Sequence, residues 1–188
     1  MWNLLPDLYL KSTYEIDFED MYRRGYRGVL FDIDNTLVGH NAPQDERSLA
    51  LLARLHELGY KTAVVSNNKY ERVSSFADPA NMFYVYKAGK PLGRGYRQAI
   101  EDMGLESEEV FSVGDQIFTD VWGANRAGLF NILVKPLGKD IGFHIYLKRI
   151  LEKPIMLIVI LRNKKRLRMY EDTRIESGIY QEKPAYAP

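Results

Sequence analysis

The chain has 188 residues, and its 26 Lys and Arg against 25 Asp and Glu leave a net charge of +1, which argues against binding nucleic acid through bulk charge. That length suits one domain of about 100–150 residues with modest extensions, and 46% hydrophobic residues suffice for a sizeable core. There is no cysteine, which excludes disulfides, thiolate catalysis and sulfur-ligated zinc and fits a reducing cytoplasm.

Residues 1–24 are rich in Trp, Tyr, Leu and acids. They lack the basic and apolar regions of a signal peptide, and are expected to pack on the domain or to form a short helix over Phe18 to Arg23. Gly28 to Asp32 reads as a buried strand. Glu46 to Leu58 carries Leu49, Leu52, Leu55 and Leu58 at helical spacing and stops at Gly59. Lys61 to Ser66 is a second strand, Glu71 to Phe76 a short helix, and Met82 to Tyr86 a third strand. Gly95 to Met103 is helical, Glu109 to Val113 is strand four, Val121 to Ala127 is helical and Phe130 to Val134 is strand five. Strands separated by helices make βαβ units, hence a five-stranded parallel sheet with helices on both faces, an α/β fold. A domain over 1–140 is followed by an apolar, basic stretch over 141–169 and a polar tail over 170–188. The longest apolar run, Ile155 to Leu161, is far short of the roughly 20 residues of a spanning helix, so the chain is expected in the cytoplasm, at most peripheral to the inner face of the cell membrane.

Open parallel sheets bind ligands beyond the carboxyl ends of their strands, and four polar clusters fall there. Strand one ends in Asp32-Ile33-Asp34-Asn35-Thr36, strand two in Ser66-Asn67-Asn68, Lys90-Pro91 follows strand three, and strand four runs into Gly114-Asp115-Gln116-Ile117-Phe118-Thr119-Asp120. Side chains two apart on an extended segment point the same way, so Asp32 and Asp34 can address one substrate. One carboxylate can attack phosphorus. The other can protonate the departing alkoxide and later deprotonate water. Two carboxylates facing a phosphate dianion call for a divalent cation and a lysine; Asp115 and Asp120 supply further hard oxygen ligands of the kind Mg²⁺ prefers. Lys90 can neutralise charge on the transferring group, while Ser66 and the amide of Asn67 can hold its oxygens.

These four clusters, in this order, resemble the motifs of the haloacid dehalogenase superfamily across residues 28–135. The resemblance implies a Rossmann-like fold with strand order 5-4-1-2-3, Asp32 as nucleophile, Asp34 as acid and base, and Mg²⁺ held by Asp32, the carbonyl of Asp34 and Asp115, with Asp120 in support. It places Thr36, Ser66 and Asn67 against the substrate. The acid at 34 favours a phosphatase over a dehalogenase. Only 31 residues (35–65) separate Asp34 from Ser66 and only 22 (68–89) separate Asn67 from Lys90, too few for the cap domain of many relatives. More narrowly, Leu5-Pro6-Asp7-Leu8-Tyr9, Asp115 to Val121 and Gly123-Ala124-Asn125-Arg126 resemble the YqeG-type subfamily, which is similar to phosphatases acting on phosphatidylglycerophosphate.

Paired acids alone are more often loop caps than catalysts, and only the other three motifs reverse that reading. A receiver domain would need an acid on strand three, and Met82 to Tyr86 has none. Lys87 reads as a solvated charge beside Lys90, and His40 as an exposed loop residue. Asn35 and Asn68 read as turn formers. In the C-terminal stretch, Pro154 permits a helix start before Ile155 to Leu161. The stretch is either an appendage packed on the sheet or an interfacial anchor whose cations meet anionic lipid. The expected activity is Mg²⁺-dependent hydrolysis of a phosphate ester, with a membrane phospholipid first among substrates, a phosphoprotein or small ester second, and a binding scaffold without turnover third.

Overall fold

The structure, a computed structural model, describes residues 3–138 and 152–162. Six strands, β1 (Leu8–Leu10), β2 (Gly28–Phe31), β3 (Lys61–Val65), β4 (Phe83–Val85), β5 (Val110–Gly114) and β6 (Phe130–Val134), form one parallel sheet in the order β1-β6-β5-β2-β3-β4. The five expected strands are β2 to β6, in the expected order. The sixth corrects the reading of a five-stranded sheet: the N-terminal extension adds β1 along β6, with Leu8 opposite Ile132 and Leu10 opposite Val134. Three residues are too few to display a period of two. What makes them a strand is the edge of β6, reinforced where the Asp7 carboxylate accepts from both the backbone and the side-chain nitrogen of Asn131, each at 3.1 Å.

Five helices alternate with the strands: α1 (Phe18–Arg23), α2 (Glu46–Glu57), α3 (Tyr70–Ala77), α4 (Arg94–Met103) and α5 (Trp122–Ala127). Their ends follow local chemistry. Asp17 accepts from the amide of Asp20 at the start of α1, Asp45 and Ser48 close a capping box on α2, and Gly104 and Gly128 take left-handed backbone after α4 and α5. In α2 the buried stripe is Ser48, Leu51, Leu52 and Leu55, spaced i, i+3, i+4, i+7. Leu49, expected in that stripe, is 41% exposed.

Central strand β2 is buried along its whole length and serves both layers. Val29 and Phe31 face Phe18, Leu51, Leu55, Tyr60 and Phe111 on one side, while Leu30 faces Tyr96, Ala99, Ile100 and Met103 on the other. Residues 35–65 hold a turn, α2 and β3, and residues 68–89 hold α3 and β4, so neither gap houses a cap.

Of the C-terminal segment expected over 141–188, residues 141–151 and 163–188 lie outside the described residues. Residues 152–162 are helical and include Pro154; this helix is α6. Its Ile155 and Met156 pack against Ile117, Val121 and Leu133, and Val159 is buried, while Leu157, Ile158, Ile160 and Leu161 are exposed. Among the described residues no helix is long and apolar enough to cross a membrane.

Phe18 anchors the aromatic core, with ring centroids 6.4, 6.2 and 6.1 Å from those of Phe31, Tyr60 and Phe111. Phe18→Ala is expected to cost about 3–5 kcal/mol in urea denaturation, whereas Leu49→Ala, on the solvent face, should stay within about 0.5 kcal/mol.

Candidate active site

The β-register sets Phe31 opposite Val64 of β3 and Val113 of β5, so Asp32 stands level with Val65 and Gly114, and Ser66 and Asp115 follow one residue farther along. Directly after β2 the amide of Asp32 still bonds to Val113, and Asn35 then adopts φ 64°, a left-handed turn that an Asn tolerates. The two carboxylates meet different partners.

Lys90 arrives from the loop after β4. Asn67 clamps its backbone, accepting from the Lys90 amide at 2.8 Å and donating to its carbonyl at 3.1 Å. Its ammonium donates to Asp32 Oδ1 at 2.6 Å and to Asp120 Oδ1 at 2.7 Å, with only 4% of the side chain exposed. Lys87, by contrast, is exposed. Asp120 is delivered by a π-helical turn, Ile117–Val121. Its Oδ2 accepts from the Gln116 amide at 3.0 Å and its carbonyl from the Tyr96 hydroxyl at 3.3 Å. Both Asp120 oxygens are thus engaged by donors within the protein.

Burial raises the proton affinity of Asp32; Lys90 pulls it back and Asp120 pushes it up again, and the balance lies above the ordinary carboxylate range. Burial alone would lower Lys90, yet the Asp120 and Asp32 carboxylates hold it well above its usual value, so it is a fixed cation. Asp34 goes the other way. Burial would raise it, but Arg72 Nη2 at 2.9 Å, the Asn41 amide at 2.7 Å and Asn68 Nδ2 at 2.7 Å together hold it below the ordinary range.

The remaining expected residues are close by but enclosed. Asp115 is buried at the end of β5, and Ser66, buried after β3, accepts from the Asn68 amide at 3.2 Å. Thr36 is fully buried beneath the turn, and its carbonyl accepts from the Thr13 hydroxyl at 2.8 Å. Among the described residues no three His, Cys, Asp or Glu side chains form a metal-holding group by themselves. The expected donors (Asp32, Asp115 and the Asp34 carbonyl) are all hard oxygens. They suit a small cation that takes one or two carboxylates, keeps waters and binds substrate phosphate.

Two residues were not foreseen. Arg72 on α3 looks in sequence like any solvated helix charge. Glu152 lies beyond the motifs, yet its buried carboxylate accepts from the Ile117 amide at 2.9 Å and ties α6 to the turn that carries Asp120. No sequence signal marks either, because both contacts cross the fold.

The profile of the haloacid dehalogenase-like hydrolases matches residues 40–128. Over 153 residues the chain is 37% identical to the Bacillus subtilis protein described as "Probable phosphatase YqeG", covering 81% of this chain and 89% of that one. The chain belongs to the haloacid dehalogenase-like hydrolases. Within that family it is a hydrolase of the YqeG phosphatase type. It is also 30% identical over 153 residues to phosphatidylglycerophosphate phosphatase 1 of Arabidopsis thaliana, which covers 72% of this chain; the chain spans 42% of that longer protein. A Bacteroides fragilis chain named as a haloacid dehalogenase-like hydrolase shares the fold, with a TM-score of 0.52 and 18% identity over 61% of this chain and 90% of its own.

In this haloacid dehalogenase-like hydrolase Gly114 is dictated by Asp120. A Cβ at 114 would stand 2.4 Å from the Asp120 Cβ, a distance at which something must move. Gly114→Ala is expected to displace Asp120 and with it the Lys90 ammonium, lowering turnover of p-nitrophenyl phosphate by about a hundredfold. Circular dichroism should show the sheet intact.

Proposed function

We propose that this chain is a Mg²⁺-dependent phosphomonoesterase that works through an aspartyl phosphate on Asp32, with phosphatidylglycerophosphate at an anionic membrane surface as its substrate. The observation that carries the reaction is the Lys90 ammonium shared between Asp32 and Asp120, with Asp34 beside them on a separate set of donors.

A cation held by Asp32, the Asp34 carbonyl and Asp115 would supply charge neutralisation for the phosphoryl oxygens and favour ionised Asp32. The chain's own groups do the rest. An Asp32 oxygen attacks phosphorus, the ester P–O bond breaks, and the departing alkoxide takes the proton of the Asp34 carboxyl. A water oxygen then attacks the phosphorus of the aspartyl phosphate and gives its proton to the Asp34 carboxylate. Asp32 departs as a carboxylate and inorganic phosphate is released. Lys90 stays positive throughout and faces the charge on the transferring group. The substrate dianion, brought next to Asp34, raises the proton affinity of a group that is otherwise held ionised.

Three features support the lipid. No cap closes the site among the described residues, so a bulky substrate has access. An apolar cavity of about 360 Å³, lined by Tyr9, Ile117, Leu133, Met156 and Ile160, reaches Asp115. Helix α6 forms a wall of that cavity and turns Ile158 and Leu161 to the outside, next to a sequence rich in Lys and Arg. The plant relative's name specifies the same lipid phosphate.

Asp32→Asn should leave activity near background in the presence of Mg²⁺, and wild-type activity should vanish with a chelator. Asp34→Asn should lose at least about tenfold more on an alkyl phosphate than on p-nitrophenyl phosphate, whose leaving group needs little protonation; equal losses would remove the acid role from Asp34. For the substrate, phosphate release from phosphatidylglycerophosphate in anionic vesicles should outpace release from glycerol phosphate, and Ile158→Ser with Leu161→Ser should weaken vesicle binding by about tenfold. Faster hydrolysis of phosphopeptides or soluble esters than of the lipid would refute the lipid and leave the chemistry standing.

A further inference from the structure

Arg72 has no part in the transfer of the phosphoryl group, yet it stands one hydrogen bond from the acid that meets the leaving oxygen. Its Nη2 donates to Asp34 Oδ1 at 2.9 Å. Asp34 has two further donors, the Asn41 amide and Asn68 Nδ2, each 2.7 Å from the same carboxylate. Meanwhile Arg72 Nε is buried with no hydrogen-bond partner. A guanidinium recognises an anion best through a pair of parallel N–H bonds, and Nε with one terminal nitrogen forms such an edge. Here half of that edge is idle and the other half is spent on a carboxylate that is already satisfied twice. The stem is fixed on the first turn of α3, with the guanidinium carbon 5.7 Å from the centre of the Phe76 ring, and the side chain is 18% exposed. It is placed firmly, and part of the side chain reaches solvent although Nε itself lies beneath that surface.

We propose that Arg72 is the head of a second anion subsite, which binds an acidic phosphate carried on the substrate's leaving alcohol about two or three carbons from the departing oxygen. The inference rests on the assignment of Asp34 as leaving-group acid. Whatever departs does so beside Asp34, and an anion one hydrogen bond farther on meets the Arg72 fork. A phosphodiester headgroup and a free bisphosphate offer the same oxygens there.

The test compares propyl phosphate with 1,3-propanediol bisphosphate, which differ only in the second anion, in wild type, Arg72→Gln and Arg72→Lys. Wild type should prefer the bisphosphate in kcat/KM by at least about tenfold, the worth of one charge-assisted hydrogen bond, with the difference lying in KM. Arg72→Gln should bring that ratio down to about two, the factor set by two equivalent phosphates, and Arg72→Lys should keep part of it. Phosphatidylglycerophosphate in vesicles is the third substrate. Loss on the lipid as well as the bisphosphate supports the subsite with a headgroup as its source, and loss on the bisphosphate alone supports it with a soluble ester. A wild type without preference, or an Arg72→Gln that slows both soluble substrates alike, overturns the subsite while the phosphatase reading survives. Turnover of none of the three substrates would overturn both.

Discussion

A single ammonium, that of Lys90, lies buried between two carboxylates, and the geometry of the strand ends depends on it. Charges taken out of water are tolerated only when paired and hydrogen-bonded. Asp32 and Asp120 could not both stand so close, so deeply buried, without the cation between them. The three groups come from β2, the loop after β4 and the π-helical turn after β5, separated by 58 and 30 residues from Lys90. Each is held by its own backbone contacts: Asn67 around Lys90, the Gln116 amide on Asp120, Val113 on the amide of Asp32. The cluster still carries one more negative than positive charge, and Asp115 adds to that excess. That excess of negative charge is one a small hard cation would relieve.

Asp34, only two residues on, belongs to a different electrostatic environment. Asp32 is raised by burial and Asp34 is lowered by Arg72 and two further donors. Without ligand, therefore, Asp32 holds its proton more tightly than Asp34 does, the reverse of what the proposed first step requires. A cation beside Asp32 and an anion beside Asp34 have the signs that invert this order.

Helix α6 links this chemistry to the far end of the chain. Glu152 accepts from Ile117 at the start of the turn that delivers Asp120, so the helix that exposes Ile158 and Leu161 also steadies the charge cluster.

The amino-acid sequence by itself determined the five strands β2 to β6 and their order, the helices between them, and the group of Asp32, Asp34, Lys90, Asp115 and Asp120, because strand and helix periods are local and the polar clusters sit where parallel strands end. Even the choice of Lys90 over Lys87 was legible, from the proline after it. Only the tertiary structure decided the rest. Leu8–Leu10 became a strand because β6 offered an edge, Leu51 rather than Leu49 went inward because of where α2 rests on the sheet, and Thr36 was sealed under its turn. Arg72 and Glu152 acquired their partners across 38 and 35 residues. Pairings of that kind carry no periodic mark, since they depend on which surfaces come to face one another once the layers have packed.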